Sequence, residues 1–228
     1  MNSIAGNLLA LNKQIGAAAS AAGRNATEIT LIAASKTQSA ETVNEAFQAG
    51  VRHFGENYLD EALAKLALVD TPGATWHFIG RVQSNKTRLL ATHFDWVHTV
   101  DRLKIARRLS SHREGDPLNV LIQVNIDDDP AKAGAQLGDT QVLVDEITRL
   151  PNLRLRGLMT ILSQSTDPAT SYQSMAQLAA RLKEQLAADD AMFWDTLSMG
   201  MSGDMPSAIA AGATHVRIGT ALFGPRDV

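Results

Sequence analysis

The stretch "LIAASKTQSAE", residues 31–41, decides the fold. An apolar run ends at Ser35-Lys36-Thr37, and a helix start follows at once, with Ser39 placed to cap it. A strand that feeds a helix through so short a turn is half of a βαβ unit. The turn itself, "SKTQS", holds no glycine. An open doubly-wound sheet usually announces itself with a glycine-rich turn after its first strand. The other parallel architecture, a closed barrel, makes no such demand.

Working outward, short apolar runs fall at 29–34, 51–54, 75–79, 95–98, 119–125, 153–159, 195–198 and 215–218. Helical periodicity occupies 40–49, 57–68, 84–92, 101–112, 139–149, 169–188 and 204–211 between them. Ser39 and Asp101 suit N-caps, Asp167 precedes a proline at the first helical position, and Gly50 and Gly212 suit C-caps. Strict alternation implies right-handed crossovers and a parallel sheet. The runs read as continuously apolar, as strands covered on both faces should. The expectation is an α/β chain forming a single (β/α)8 TIM-type barrel. An extra N-terminal helix, with Ile4, Leu8, Leu11 and Ile15 on one face, fills the vacant place in the outer ring. No Gly/Ser/Pro-rich linker or repeat divides residues 1–228, so one domain is expected. Residues 126–139 form the long polar connection.

Composition narrows the function. Hydrophobic residues make up 45% of 228, enough for a sizeable core, and there is no cysteine to form disulfides, zinc–thiolate sites or a thiol nucleophile. Net charge is −3 with scattered basic residues, so no nucleic-acid footprint is expected. The N-terminus lacks the basic region of a signal peptide, and no stretch approaches the ~20 apolar residues of a membrane span. A cytoplasmic protein with no membrane partner is the expectation. The six histidines lack metal-ligand spacing, so no metal is expected; His53 and His77 read as satisfied barrel residues.

A barrel places its chemistry at the C-terminal ends of the strands. The residues found there are Lys36, Glu56, Asn57, Arg81, Asn85, Asn125, Asp127, Met159, and the segments 198–204 and 217–224. Ser202 and Gly203 precede a helix for which Asp204 reads as the cap; Gly219 and Thr220 follow the last strand. Turn N–H groups and hydroxyls at these two places suit a phosphate. Arg217 alternates with Val216 and Ile218, so it faces the opposite side. A buried guanidinium there needs an acidic partner or a polar ligand atom. Lys36 has three readings: a solvated amine, a point charge for phosphate, or an amine that condenses with an aldehyde once partly desolvated. A phosphate cup across the mouth from Lys36 fits a ligand with phosphate at one end and a carbonyl at the other. Pyridoxal phosphate, a triose phosphate and a pentose phosphate satisfy that equally.

Motifs in order along the chain add a resemblance. "SKT" at 35–37, "HFGEN" at 53–57, "HFIG" at 77–80, "QSNK" at 83–86, "RLRGLM" at 154–159, "LSMGMSGDM" at 197–205 and "VRIGTALFG" at 216–224 together resemble the pyridoxal phosphate homeostasis protein family, small barrels related to the N-terminal domain of alanine racemase. The resemblance implies that Lys36 holds pyridoxal 5′-phosphate as a Schiff base. It implies that Ser202, Gly203, Gly219 and Thr220 bind the phosphate, that Arg217 faces the pyridine nitrogen, and that Asn57 lines the pocket, with Ser198, Met159 and Asn85 nearby. Where many relatives carry a second basic residue and a proline, this chain has Gln38 and Ser39. Lys132, in the loop "KAG", is a candidate for auxiliary contact.

An arginine at the pyridine nitrogen disfavours its protonation and weakens the ring as an electron sink. Two-base racemisation also needs an acid/base group on each face of the substrate. Alanine racemase takes one from a further domain, which the resemblance leaves without a counterpart here, since the sequence stops four residues after Gly224. Its two tyrosines, Tyr58 and Tyr172, both read as helical. The expected function is therefore buffering or delivery of pyridoxal phosphate, with apo-enzymes as candidate recipients and a monomer as the expected state. A pyridoxal phosphate-dependent amino-acid racemase of weak or narrow activity is the alternative. A sugar-phosphate isomerase or Schiff-base aldolase is a third reading, and it would need Glu56 as its base.

Overall fold

The computed structural model describes residues 3–163 and 166–225. Its eight strands are β1 (Thr30–Ala34), β2 (His53–Glu56), β3 (Thr75–Phe78), β4 (Trp96–Val100), β5 (Leu118–Gln123), β6 (Leu153–Met159), β7 (Thr196–Ser198) and β8 (His215–Ile218). All pair in parallel and in chain order, and β8 pairs with β1 to close the barrel. Closure removes both sheet edges. Around it run α1 (Ile4–Ala21), α2 (Ala40–Gln48), α3 (Leu59–Leu66), α4 (Thr87–His93), α5 (Leu103–His112), α6 (Thr140–Ile147), α7 (Pro168–Lys183), α8 (Ala188–Ala191), α9 (Met205–Ala210) and α10 (Thr220–Phe223).

The helix that precedes β1 completes this ring. Ile4, Leu8, Leu11, Ile15 and Ala19 are its buried face. They pack toward α9 and the short α10 that follows β8. Asn7 Nδ2 donates to Leu222 O at 2.9 Å, and Arg24 Nη1 donates to Ile209 O and Ala213 O.

Boundary signals behave as their chemistry demands in most places. Ser39 accepts from Thr42 N at 3.2 Å, and Asp167 accepts from Thr170 N ahead of Pro168. Gly50 and Gly212 take φ of 111° and 103°, past the ends of α2 and α9, where a side chain would be strained. Asp101 is different: α5 starts two residues later, and Asp101 pairs with Arg102 instead. The first strand residues expected at 51–52 lie outside β2, which begins at His53. The helix expected over 169–188 is interrupted, ending at Lys183 and resuming as α8.

The large apolar core lies between the strands and the helices. The barrel interior is different, and here the expectation of continuously apolar strands fails. Trp96, Leu121 and Met159 form a small separate apolar cluster. The inward positions of β2, β3, β4, β7 and β8 carry His53, His77, His98, Ser198 and Arg217, in contact with one another. The alternation of faces along each strand conceals this polar set between apolar neighbours. Among the described residues, no helix is long and apolar enough to cross a membrane.

Candidate functional site

Lys36 follows β1 at the C-terminal mouth, two positions beyond Ala34 and so on the same inward face. Its turn is fixed from both sides. Gln38 N donates to Ser35 O at 3.0 Å, and the capped α2 begins at Ala40. Thr37 sits at φ 66°, an uncommon conformation for a β-branched residue, and its hydroxyl donates to Lys36 O at 2.5 Å. Backbone strain of this kind clusters where a neighbour must be aimed. Ser35 faces the other way, out of the barrel. There its hydroxyl donates to Glu56 Oε1 at 2.6 Å, and Lys65 Nζ reaches both Glu56 Oε1 (2.6 Å) and Ser35 O (2.7 Å). Glu56 is fully buried in this cluster and does not line the mouth. The isomerase or aldolase reading loses the base it required.

A cavity of about 320 Å³ opens at the mouth beside Lys36. Lys36, Asn57, Arg217, Ser202, Gly203, Gly219 and Thr220, all singled out from the sequence, share its lining. Because β8 pairs with β1, with Arg217 beside Ile32, the two cations and the glycine turns occupy one side of the mouth. The phosphate cup expected across the barrel from Lys36 is instead its neighbour. Lys36 is half-buried, and no carboxylate lines this cavity among the described residues. The lining therefore favours a small anion.

Arg217 is 5% exposed and forms no ion pair among the described residues. Its Nη1 donates to Ser198 Oγ and its Nη2 to Thr160 O, each at 2.8 Å. Burial pulls its pKa down to about 10, opposed by Tyr172 and Asp204, so it is a cation at neutral pH. Two of its five N–H donors are accounted for by these bonds, and it reaches the cavity with no carboxylate bonded to it among the described residues. Among the described residues the acidic partner considered from the sequence does not pair with it; a hydroxyl and a carbonyl take that place.

The turn after β7 is shaped by Asp204. It stands before α9 but makes no side-chain cap to that helix. Its Oδ1 accepts from Met201 N at 2.5 Å, and its Oδ2 accepts from Tyr172 Oη at 2.8 Å. Burial, then the Asp204 charge, raise the Tyr172 pKa. Asp204 thus ties back the loop that carries Ser202 and Gly203. The N–H groups of those two residues donate to no backbone carbonyl among the described residues, and a Cβ at Gly203 would meet no protein atom within 4 Å. Asn57 Oδ1 is buried without a hydrogen-bond partner among the described residues. A donor-rich rim, two cations and a stranded acceptor fit a phosphorylated, hydroxylated ring.

Comparison with known proteins agrees with this geometry. Residues 7–227 match the family described as alanine racemase, N-terminal domain. The chain is 51% identical to the pyridoxal phosphate homeostasis protein of Pseudomonas aeruginosa, across 100% of this chain and 97% of that one. It is 49% identical to the protein of the same name from Escherichia coli, across 100% and 98%. The chain belongs to the pyridoxal phosphate homeostasis protein family. PipY of Synechococcus elongatus, solved with PLP bound, superposes with a TM-score of 0.85 at 37% identity, over 97% of this chain and 100% of that one.

Not every residue anticipated for this homeostasis-family site reaches the cavity. Met159 is fully buried and packs with Trp96 and Leu121, so it does not line the opening. Ser198 is also buried and acts at one remove, through its bond to Arg217. Asn85 is exposed and is not part of the lining. Lys132 borders an adjoining cleft with Arg81, and its Nζ donates to Ile161 O at 3.2 Å. Tyr58 is not helical; it precedes α3 and is 54% exposed, beside Asn57 in another cleft. Ala34, Gln38, Ile79 and Ile161 line the cavity without having been singled out as lining. The inward alternation of β1 and β3 was the available signal for Ala34 and Ile79.

Proposed function

We propose that this chain binds pyridoxal 5′-phosphate in the cavity beside Lys36 and buffers or delivers it. The observation that carries the reading is one opening that gathers Lys36, Arg217 and two glycine–hydroxyl turns, with no carboxylate among the described residues that line it. Lys36 presents its amine from a strained, doubly anchored turn. Ser202, Gly203, Gly219 and Thr220 hold the phosphate through N–H groups and hydroxyls. Arg217 directs donor groups at the ring, held by Ser198 and Thr160. Asn57 lines the same opening, and its buried Oδ1 has no partner among the described residues. The bound group supplies an aldehyde that condenses reversibly with amines. Met159 packs with Trp96 and Leu121 inside the barrel, away from the opening. Domain-wide, residues 1–228 act as one binding unit.

Delivery rather than turnover follows from the proton inventory. Among the described residues lining this cavity, Lys36 carries the one amine that can serve a face of a bound substrate as an acid/base group. Racemisation asks for two such groups. Apo-enzymes that need the cofactor are the fitting recipients, and a monomer with an open mouth suits the hand-over.

The test is chemical. Wild-type protein is mixed with pyridoxal phosphate, reduced with borohydride and digested. The expected mass increment falls on the peptide containing Lys36, and Lys36→Ala loses it while retaining weaker, phosphate-driven binding. Uptake that never occurs, or an increment on another lysine, ends the reading. Chiral analysis after incubation with L- and D-amino acids is expected to show no turnover above background, while loaded protein restores activity to a defined apo-enzyme.

A further inference from the structure

The barrel interior carries a hydrogen-bond chain of which the roles above use only the last link, Ser198 to Arg217. His53 Nδ1 lies 3.0 Å from His77 Nε2, and His77 Nδ1 lies 2.9 Å from His98 Nε2. His98 Nδ1 lies 2.9 Å from Ser198 Oγ, which in turn accepts from Arg217 Nη1. The chain climbs from the first residue of β2, through β3 and β4, then crosses the interior to β7 and β8. His77, His98 and Ser198 have no exposed surface; His53 is half-buried.

Its direction is set at one end. A guanidinium only donates, so Ser198 Oγ must accept from Arg217. The serine proton then needs an acceptor of its own, and His98 Nδ1 is the acceptor in reach. Leaving that buried O–H unpaired would be costly. A neutral His98 therefore carries its proton on Nε2 and donates to His77 Nδ1. The same logic makes His77 donate from Nε2 to His53 Nδ1, and leaves His53 Nε2–H at the half-buried end. One proton per ring satisfies every link. The chain contains no carboxylate, so it grips Arg217 without neutralising it.

We infer that Ser198 and His98 are positioning residues for Arg217, and that His77 and His53 extend their reach, so that a change on the barrel floor alters how Arg217 meets the ligand. Were His98 to carry its proton on Nδ1, Ser198 would face two donors and its own proton would be stranded. Its grip on Arg217 would weaken. The functional half of this inference rests on the cavity being the pyridoxal phosphate site; the chain itself does not.

Two measurements test it separately. Histidine ¹⁵N spectra of ligand-free wild-type protein at pH 7 are expected to show neutral Nε2–H tautomers for His53, His77 and His98. An Nδ1–H tautomer or an imidazolium at His77 or His98 overturns the chain. The second measurement is the visible band of protein loaded with pyridoxal phosphate. Ser198→Ala is expected to shift that band and weaken binding roughly 2- to 10-fold, the worth of one hydrogen bond. Ser198→Thr, which keeps the hydroxyl, should restore both. His77→Gln, remote from the cavity, should move the band in the same direction by less. Folded Ser198→Ala and His77→Gln proteins with the wild-type band would refute the coupling. If wild-type protein takes up no cofactor, the proposed function fails, and the tautomer spectra alone then decide the chain.

Discussion

Glu56 ends β2 with its carboxylate fully buried, and Lys65 and Ser35 both converge on one of its oxygens. The other oxygen, Oε2, has no partner among the described residues. Such a pair adds little net stability over an apolar equivalent, yet removing one partner strands a charge. Lys65→Met is expected to cost about 3–5 kcal/mol in urea unfolding, and the double variant Glu56→Gln/Lys65→Met to recover most of it. A single variant as stable as wild type would show that Glu56 is not charged there. The consequence reaches the site because Ser35 is bonded to this cluster and Lys36 is the next residue. Position along a strand made Lys36 and Arg217 legible: one lies just beyond a strand end, the other breaks the apolar alternation between Val216 and Ile218. Glu56 was legible only as a strand-end carboxylate, because which face it took depended on Gly55. A Cβ at Gly55 would approach Ile32 and Ile79 to 2.9 Å, so that residue holds the crowded inward position and turns Glu56 outward. Of the histidine chain, His53 and His77 were legible as satisfied barrel residues, but their partners and His98 were not. His53, His77 and His98 are 24 and 21 residues apart, on separate strands, and only barrel closure brings their rings together.

Helix α1 shows what an element contributes beyond its own turns. Its apolar face was plain from the spacing of Ile4, Leu8, Leu11 and Ile15, and so was its place beside the last strand. What it supports was less plain, because α10 spans only Thr220–Phe223 and leaves the outer ring thin behind the Gly219 turn. Leu11 is 2% exposed in this interface. Leu11→Ala should cost about 2–5 kcal/mol, as buried leucine truncations do. Amide exchange should then accelerate in α9 and α10 before it does in α5, which contacts α4 and α6 rather than α1. Uniform acceleration across all helices would mean that α1 has no special hold on the last turns. The strands were read to within two residues because apolar runs and turn residues are local signals. The interruption between Lys183 and Ala188 was missed because residues 183–188 keep good helix formers through the break. Gly157 explains a register that sequence did not reveal. It has φ 142°, and a Cβ there would lie 2.0 Å from Thr196 O, at the irregularity where β5 pairs with β6.

Across the whole molecule, a barrel filled with imidazoles must answer to pH. Burial holds His77 and His98 well below the ordinary histidine range, and each also faces its neighbouring rings: His53, His98 and His215 around His77, and His215 with Arg217 around His98. Burial depresses His215 to about 3, with His53, Arg156 and Arg217 adding to the effect and Asp95 or Asp195 opposing it at the His53 and His215 ends. In the unfolded chain these rings titrate near pH 6.5. Below that pH the unfolded state binds protons that the folded state refuses, so acid favours unfolding. The stabilisation is complete above about pH 6.5 and erodes as pH falls below it. Between pH 7.5 and 5.5 the loss should be roughly 1.4 kcal/mol for each ring that stays neutral when folded, as the burial of His77 and His98 favours. Carboxylates held low by surface hydrogen bonds, such as Asp167 and Glu41, act only in more acidic solution and leave this window to the histidines. Urea unfolding at the two pH values measures the difference. His77→Gln should lower stability at pH 7.5 yet flatten the pH dependence by one proton, because glutamine does not titrate. A wild-type protein equally stable at both pH values, or a His77→Gln protein with an unchanged slope, would mean that these rings already carry protons inside the fold.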